Sequence, residues 1–383
     1  MKPFWFLYAV GVALVAVMLT TSRSLPQPQP QPGKGKFIGI FPGEEVPMQV
    51  FSRTELQAEP PFPWGVKKIG CLEAWKKSKG KGVKVAVLDT GCDQLHPDLV
   101  DGIVAARDFT GSGSGSADVN GHGTHCCGSV GARGGDKGGI WGVAPECSLI
   151  VAKVLGDNGG GNGRGIAAGI DWSIAQGADV ISMSLGSSQP DGEIEDACRR
   201  AYAAGVLLVA AAGNFGPNQD TISCPGCFRE CVCVTAVDHD EIVANFSGRG
   251  AQAFVCGPGV QVRSTYPGSR YATMSGTSMA TPHLAGVAAL WVAANPTVAK
   301  ADRNTAFREA VKGAVLDLGP VGRDTSFGFG RIQADKLLGG APALPPPEGK
   351  SFTLTEADLL PAALERFRAA YPGATLKLEI KQP

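Results

Sequence analysis

The chain has 383 residues, enough to bury a large core, and 35 acidic against 35 basic residues, for a formal net charge of zero. Without a long basic run, binding to nucleic acid or to an anionic membrane surface has no electrostatic support. The 53 glycines gather at turns and motifs rather than in a fixed repeat, which excludes collagen-like and low-complexity architectures.

Residues 1–23 read as a signal peptide or an N-terminal membrane anchor. Lys2 precedes an apolar run from Phe4 to Leu19 that is long for a signal peptide and nearly spans a bilayer. No clean small-x-small cleavage site follows, so the reading leans toward an uncleaved anchor. Either form exports the bulk of the chain, to the periplasm or the extracellular space or tethered to the membrane. Residues 24–35 alternate Pro and Gln and predict an extended polyproline II spacer. Residues 36–59 form a short pre-catalytic segment of ambiguous pattern. The main domain is expected over residues 60–340, closed by a second proline-rich linker at 341–350. Residues 351–383 read as a strand–helix–strand extension, too small to bury a core alone.

Inside the main domain, short β-branched runs alternate with helical patterns. Val83–Leu88, Leu149–Val154, Val180–Ser184 and Val206–Ala210 read as buried parallel strands. Ile166–Gly177, Ile194–Gly205 and Thr277–Asn295 read as helices. Such alternation predicts an α/β fold of three layers, a mostly parallel central sheet with helices on both faces. Chemistry then belongs at the carboxyl ends of the strands.

Four residues sit where that rule expects them. Asp89 ends the first strand and is followed by Thr90-Gly91. His122 stands among glycines where a helix begins. Asn214 follows Ala211-Ala212-Gly213 past a strand end. Ser278 opens a helix that is apolar on nearly every face and so belongs inside the protein. Each alone has a bland explanation: a turn, a structural histidine, a loop amide, an N-cap. In combination they meet the needs of acyl transfer. Ser278 requires a base to take its proton, which His122 supplies; Asp89 fixes the imidazole and answers its positive charge. The Ser278 N–H and the Asn214 amide are suited to stabilise an oxyanion. A lipase or esterase would place its serine in a Gly-x-Ser-x-Gly elbow, whereas Met279-Ala280 follow Ser278. A binding scaffold that had lost activity would lack one of the four.

The segments Val85–Gly91, Gly121–His125, Ala211–Asn214 and Gly276–His283 resemble the four signatures of the subtilisin-like serine proteases, and the similarity runs from about Pro63 to Leu338. The resemblance implies a subtilisin-like fold, polypeptide substrates, a monomeric catalytic domain and no cofactor for the chemistry. It also implies a groove that binds peptide as an added strand, with Gly159, Gly160 and Gly161 on one edge and Ser184, Leu185 and Gly186 on the other. Ser184–Gly186 and Ala211, Ala212 and Gly213 would form the two S1 walls, with Ser223 near the floor. No acid falls at those positions, so an apolar or aromatic P1 residue is expected; Asp191, Glu193 and Glu195 lie beyond the groove edge, where they add at most a basic preference.

Three departures stand out. The pre-catalytic segment is too short for the folded propeptide usual in the family. Cysteine is unusually frequent, 11 in all, with Cys224, Cys227, Cys231 and Cys233 clustered. Local disulfides are favoured there over a four-thiolate zinc site, because Cys231-x-Cys233 is tighter than the usual ligand pairing. Finally, His96-Pro97-Asp98 resembles the segment whose Asp ligates a structural calcium in relatives, with the other ligands expected from the Gly131–Gly142 loop containing Asp136. That loop is glycine-rich and differs in length from the family's.

Overall fold

The computed structural model describes residues 38–40, 48–56 and 61–339. The expected signal or anchor, both proline-rich linkers and the C-terminal extension lie outside the described residues.

In chain order the strands are β1 (Ile38–Gly39), β2 (Gln49–Phe51), β3 (Lys84–Asp89), β4 (Ile103–Asp108), β5 (Ser148–Lys153), β6 (Gly160–Gly161) and β7 (Val180–Met183). There follow β8 (Leu207–Ala211), β9 (Cys231–Val237), β10 (Ala253–Pro258), β11 (Val262–Tyr266), β12 (Arg270–Met274), β13 (Val315–Leu316) and β14 (Arg331–Ile332). Nine of them form one sheet in the order β13-β14-β10-β9-β8-β7-β3-β5-β4, parallel except for the β13–β14 pair.

β3 lies where the strand order reverses: the chain builds outward to β5 and β4 on one side and to β7, β8 and β9 on the other. Loops leaving the carboxyl ends part there and open a crevice, the usual place for an active site in an open α/β sheet. Asp89 is the last residue of β3.

The sheet is buried on both faces, which is why its strands read as unbroken apolar runs. Along β3, Val85 and Val87 enter one core cluster and Ala86 and Leu88 the other. The helices His122–Gly131 and Thr277–Ala294 cover the first face through Cys126, Val130, Leu284, Val287 and Leu290. Helices Gly163–Ala175 and Gly192–Ala203 cover the second through Ile166, Ile170, Ile194 and Ala201. The three-layer α/β expectation is borne out.

Two helices start earlier than their apolar residues indicate, because polar caps set the boundary. Asn162 Oδ1 accepts from the Gly165 N–H at 2.9 Å, and Asp191 Oδ1 accepts from Glu193 and Ile194 at 3.0 and 3.2 Å. One of the three acids expected beyond the groove edge, Asp191, is thus a helix cap; a second, Glu195, pairs with Arg199.

The helix Thr277–Ala294 is buried from Thr277 through Val292, and only small residues let its neighbours approach. A Cβ on Gly286 would fall 2.5 Å from Val143 Cβ. Gly286→Val is therefore expected to destabilise the protein by about 1–3 kcal/mol through overpacking, measured as a lowered urea midpoint at unchanged slope.

Candidate active site

The Asp89 carboxylate is held at the sheet's carboxyl edge by its neighbours. Its Oδ1 accepts from the Thr90 N–H at 2.8 Å and lies 2.7 Å from His122 Nδ1. Burial lowers the pKa of His122, but the charge of Asp89, the adjoining Cys126 and their hydrogen bonds outweigh it and hold the imidazole well above its ordinary range. His125 and His283 are equally buried yet face the carbonyls of Val262 and Met279, and burial pushes them down to about 3 and about 4. A carboxylate partner distinguishes His122. With Nδ1 turned to Asp89, Nε2 is the basic nitrogen of the neutral ring.

Asp118, which the sequence motifs do not single out, positions His122. It is buried, and its oxygens take five donors: the Thr90 hydroxyl and the N–H groups of Asn120 and Gly121 on Oδ1, and the Thr124 N–H and hydroxyl on Oδ2. The Thr90 hydroxyl accepts in turn from the Gly123 N–H at 2.9 Å. One carboxylate thus ties the turn before His122 to the residue after Asp89. The helix comes so close that a Cβ on Gly123 would lie 2.1 Å from the Gly91 carbonyl oxygen, which explains the glycine after the histidine. An Asp three residues before a glycine turn was the available signal.

Ser278 is the second residue of its helix, where the N–H has no intrahelical acceptor. Its carbonyl would ordinarily accept from residue 282, but Pro282 has no N–H to give. Ser184 Oγ donates to that orphaned carbonyl at 2.8 Å, and Cys126 Sγ approaches it at 3.6 Å. Ser278 Oγ donates to the Ser184 carbonyl at 3.2 Å. Among the described residues no hydrogen bond joins Ser278 Oγ to His122; such bonds commonly close only when substrate is in place. Asn214, just past β8, is oriented by Thr277, whose N–H and hydroxyl donate to its Oδ1 at 3.0 and 2.9 Å.

The model of the Peptidase S8 subtilase family matches residues 80–330, well over half of the chain. The chain belongs to the subtilase family. It is 42% identical to an intracellular serine protease of Paenibacillus polymyxa, over 64% of this chain and 76% of that protein. Subtilisin Savinase of Lederbergia lenta is 40% identical over 71% of this chain and 97% of its own length. The minor extracellular protease Epr of Bacillus subtilis is 40% identical over 70% of this chain but 41% of its own length. The chain is a subtilisin-type serine endopeptidase acting on protein substrates, and subtilases need no cofactor for catalysis.

In this subtilase both predicted groove edges already hold a strand, and it comes from the chain itself. β1 pairs antiparallel with β6, Ile38 opposite Gly161 and Gly39 opposite Gly160. On that side the Ile40 N–H also donates to the Gly159 carbonyl at 3.1 Å, and on the other side Gly39 and Gly186 exchange two bonds, at 3.0 and 2.9 Å. The pre-catalytic segment therefore lies in the position expected for a peptide. Beside it Leu185 is buried, and Ser223 packs on Gly213, where a Cβ would fall 1.9 Å from Ser223 Oγ. The Ser223 N–H donates to the Ala212 carbonyl at 2.8 Å.

The clustered cysteines do not converge on a metal. Cys224 and Cys227 form a disulfide, Cys231 Sγ faces Cys198 Sγ at 4.0 Å, and Cys233 is free and buried. Nor do the residues around Asp98 fit calcium: its Oδ1 takes the Arg53 guanidinium, and its Oδ2 takes the Tyr271 hydroxyl and the Ile140 N–H.

Ser184→Ala leaves the Ser278 carbonyl without its hydroxyl donor, and a loss of about 1–3 kcal/mol of stability is expected in denaturant titration. Cys126 lies 3.9 Å from His122 Nδ1, and burial pushes its thiol up to about 11. An organomercurial should therefore react slowly and depress activity partially, and Cys126→Ala should abolish that response; timed assays of both proteins check it.

Proposed function

We propose that catalysis proceeds through an acyl-enzyme formed on Ser278. His122 accepts the serine proton through Nε2 and returns it to the leaving amine, while Asp89 holds the ring and answers its charge. The Ser278 N–H and the Asn214 amide receive the oxyanion of the tetrahedral intermediate. The observation that carries this reading is the 2.7 Å contact between Asp89 and His122. Gly159–Gly161 and Ser184–Gly186 bind the substrate main chain, and the Ile38–Ile40 strand must leave the groove first. The absence of acids among Leu185, Ala212, Gly213 and Ser223 supports apolar or aromatic P1 residues and broad specificity otherwise.

We also propose that the protein is exported, on Lys2 and the apolar run that follows it. A second reading, an intracellular enzyme, is favoured by nine buried cysteines that remain unpaired and by the similarity to an intracellular relative. Sequencing the N-terminus of the protein from fractionated cells decides between them.

The triad is tested with a serine-directed phosphonate and mass spectrometry. Labelling at Ser278 is expected, absent in Ser278→Ala; labelling elsewhere, or none after the Ile38–Ile40 strand is displaced by Gly39→Pro, overturns the reading. A protonated His122 cannot take the serine proton, so activity is lost as pH falls through its pKa. The raised value places that acidic limb above the ordinary histidine range. Asp89→Asn removes the charge that raises it, so the limb should move to lower pH while kcat falls roughly 10⁴-fold, read from the pH dependence of kcat/KM.

A further inference from the structure

Cys224 and Cys227 flank Pro225-Gly226 and are joined, whereas the other nine cysteines are free and buried. Of all the cysteines Cys227 alone is half-buried, so its sulfur is the accessible end of the bond. It lines a cavity of about 370 Å³ together with Phe254, Phe329, Arg308, Lys312 and Arg323, and no acid is in that lining. Lys312 pairs with Glu309 and Arg229, at the rim, with Glu230. Arg308 and Arg323 have no carboxylate partner among the described residues. Arg308 donates to the Arg229 carbonyl at 2.9 Å and lies over the Phe254 ring at 5.2 Å; Arg323 donates to the Ala253 carbonyl at 3.2 Å and lies over the Phe329 ring at 5.4 Å. Burial lowers the pKa of Arg308, as befits a cation short of both water and counter-charge. A concave wall of one sign draws in anions. Cys231 reaches the same cavity, but it is buried, and its contact with Cys198 and its burial hold the thiol far above the ordinary range, so it stays protonated and unreactive.

The bond closes a turn that holds both presumed walls of the S1 pocket. Cys224 and Ser187 exchange two main-chain bonds, each 2.9 Å, directly beside Gly186 of the groove edge. The Cys227 N–H donates to the Ser223 carbonyl at 2.9 Å, and the Ser223 N–H donates in turn to Ala212 in the opposite wall. Gly226 packs so closely on that wall that a Cβ there would lie 2.5 Å from the Ala211 carbonyl oxygen. The disulfide therefore clamps one short turn between the two walls.

We propose that Cys224–Cys227 is a thiol-exchange site, that small anionic thiols reach it through the cationic cavity, and that opening it slackens both walls of the S1 pocket. The last part rests on the groove assignment made under the proposed function. A thiolate attacks Cys227 Sγ, forms a mixed disulfide there and expels Cys224 as a thiolate. A second thiolate attacks the small-molecule sulfur and expels Cys227. Two thiols are thereby oxidised to one small disulfide, the protein bond gains the two electrons, and both cysteines take up protons. The cations favour the charged attacker and the thiolate that leaves Cys227.

Exchange is followed in the oxidised full chain carrying Ser278→Ala, so that it does not digest itself. The protein is treated with reduced glutathione, an anionic thiol, or with cysteamine, a cationic one, at equal thiolate concentration and low salt. Acid quenching, alkylation in denaturant and mass spectrometry then report the state of Cys224 and Cys227. Glutathione is expected to open the bond several-fold faster than cysteamine, and Arg308→Gln or Arg323→Gln should erase the difference. The consequence is read in the active Gly39→Pro chain with a chromogenic peptide bearing Phe at P1. Reduction should lower kcat/KM several-fold and reoxidation should restore it. The Cys224→Ala/Cys227→Ala double variant should match the reduced enzyme and ignore both treatments. Cysteines 224 and 227 that never pair, no glutathione preference, or an active enzyme whose kcat/KM is unmoved by opening the bond overturns the proposal. An oxidised enzyme with no peptidase activity would instead sink the catalytic reading, since the exchange measurement does not use proteolysis.

Discussion

A carboxylate buried at the end of β3 must be answered, and the arrangement of the sheet's carboxyl edge follows from how Asp89 is answered. Its Oδ1 holds both the Thr90 N–H and His122 Nδ1, so the strand end and the helix that follows are joined through one oxygen. Asp118 repeats the device one layer out, closing the turn before His122 on the Thr90 hydroxyl. Fully buried Lys153 completes the frame from the neighbouring strand, donating to the carbonyls of Thr90 and Ala117 and to Asp157. Two buried acids and one buried base thus converge on the Asp89–Thr90 turn; Asp118 and Lys153 are matched by groups of the opposite kind, whereas Asp89 Oδ2 has no hydrogen-bond partner among the described residues.

The proposed nucleophile depends on a different constraint. Pro282 deprives the Ser278 carbonyl of its helical donor, and a buried carbonyl without a partner is costly. Ser184, at the end of β7, meets that need and receives the Ser278 hydroxyl on its own carbonyl. A defect in the helix therefore locks the helix start to the rim of the groove. A regular helix would have left Ser278 with no such tie.

The fold class was legible because the sheet is buried on both faces: Val83–Leu88 and Val206–Ala210 differ from observed strands by single residues at their ends. The four motif residues were legible because glycines and strand ends mark them. What escaped was set by tertiary partners. Asp118 acts through neighbours that only folding brings together, apart from its own turn. The Arg53 partner of Asp98 escaped because it lies 45 positions earlier, in a segment whose pattern was ambiguous. The same segment supplies β1, and no periodicity marks two residues as a strand.

The occupied groove alters how every ligand of this enzyme is to be weighed. Ile38–Ile40 offers few main-chain bonds and, at its centre, a glycine with no side chain for a pocket. As a free peptide it would be a poor ligand. Tethered, it acts at the high effective concentration of an intramolecular partner. If the groove takes substrate as proposed, any substrate must bind against that standing competitor, which raises the apparent KM without touching the bond-breaking step. Discrimination among substrates then takes on the character of a threshold: sequences whose side chains add enough binding displace the strand, and those relying on main-chain pairing alone do not.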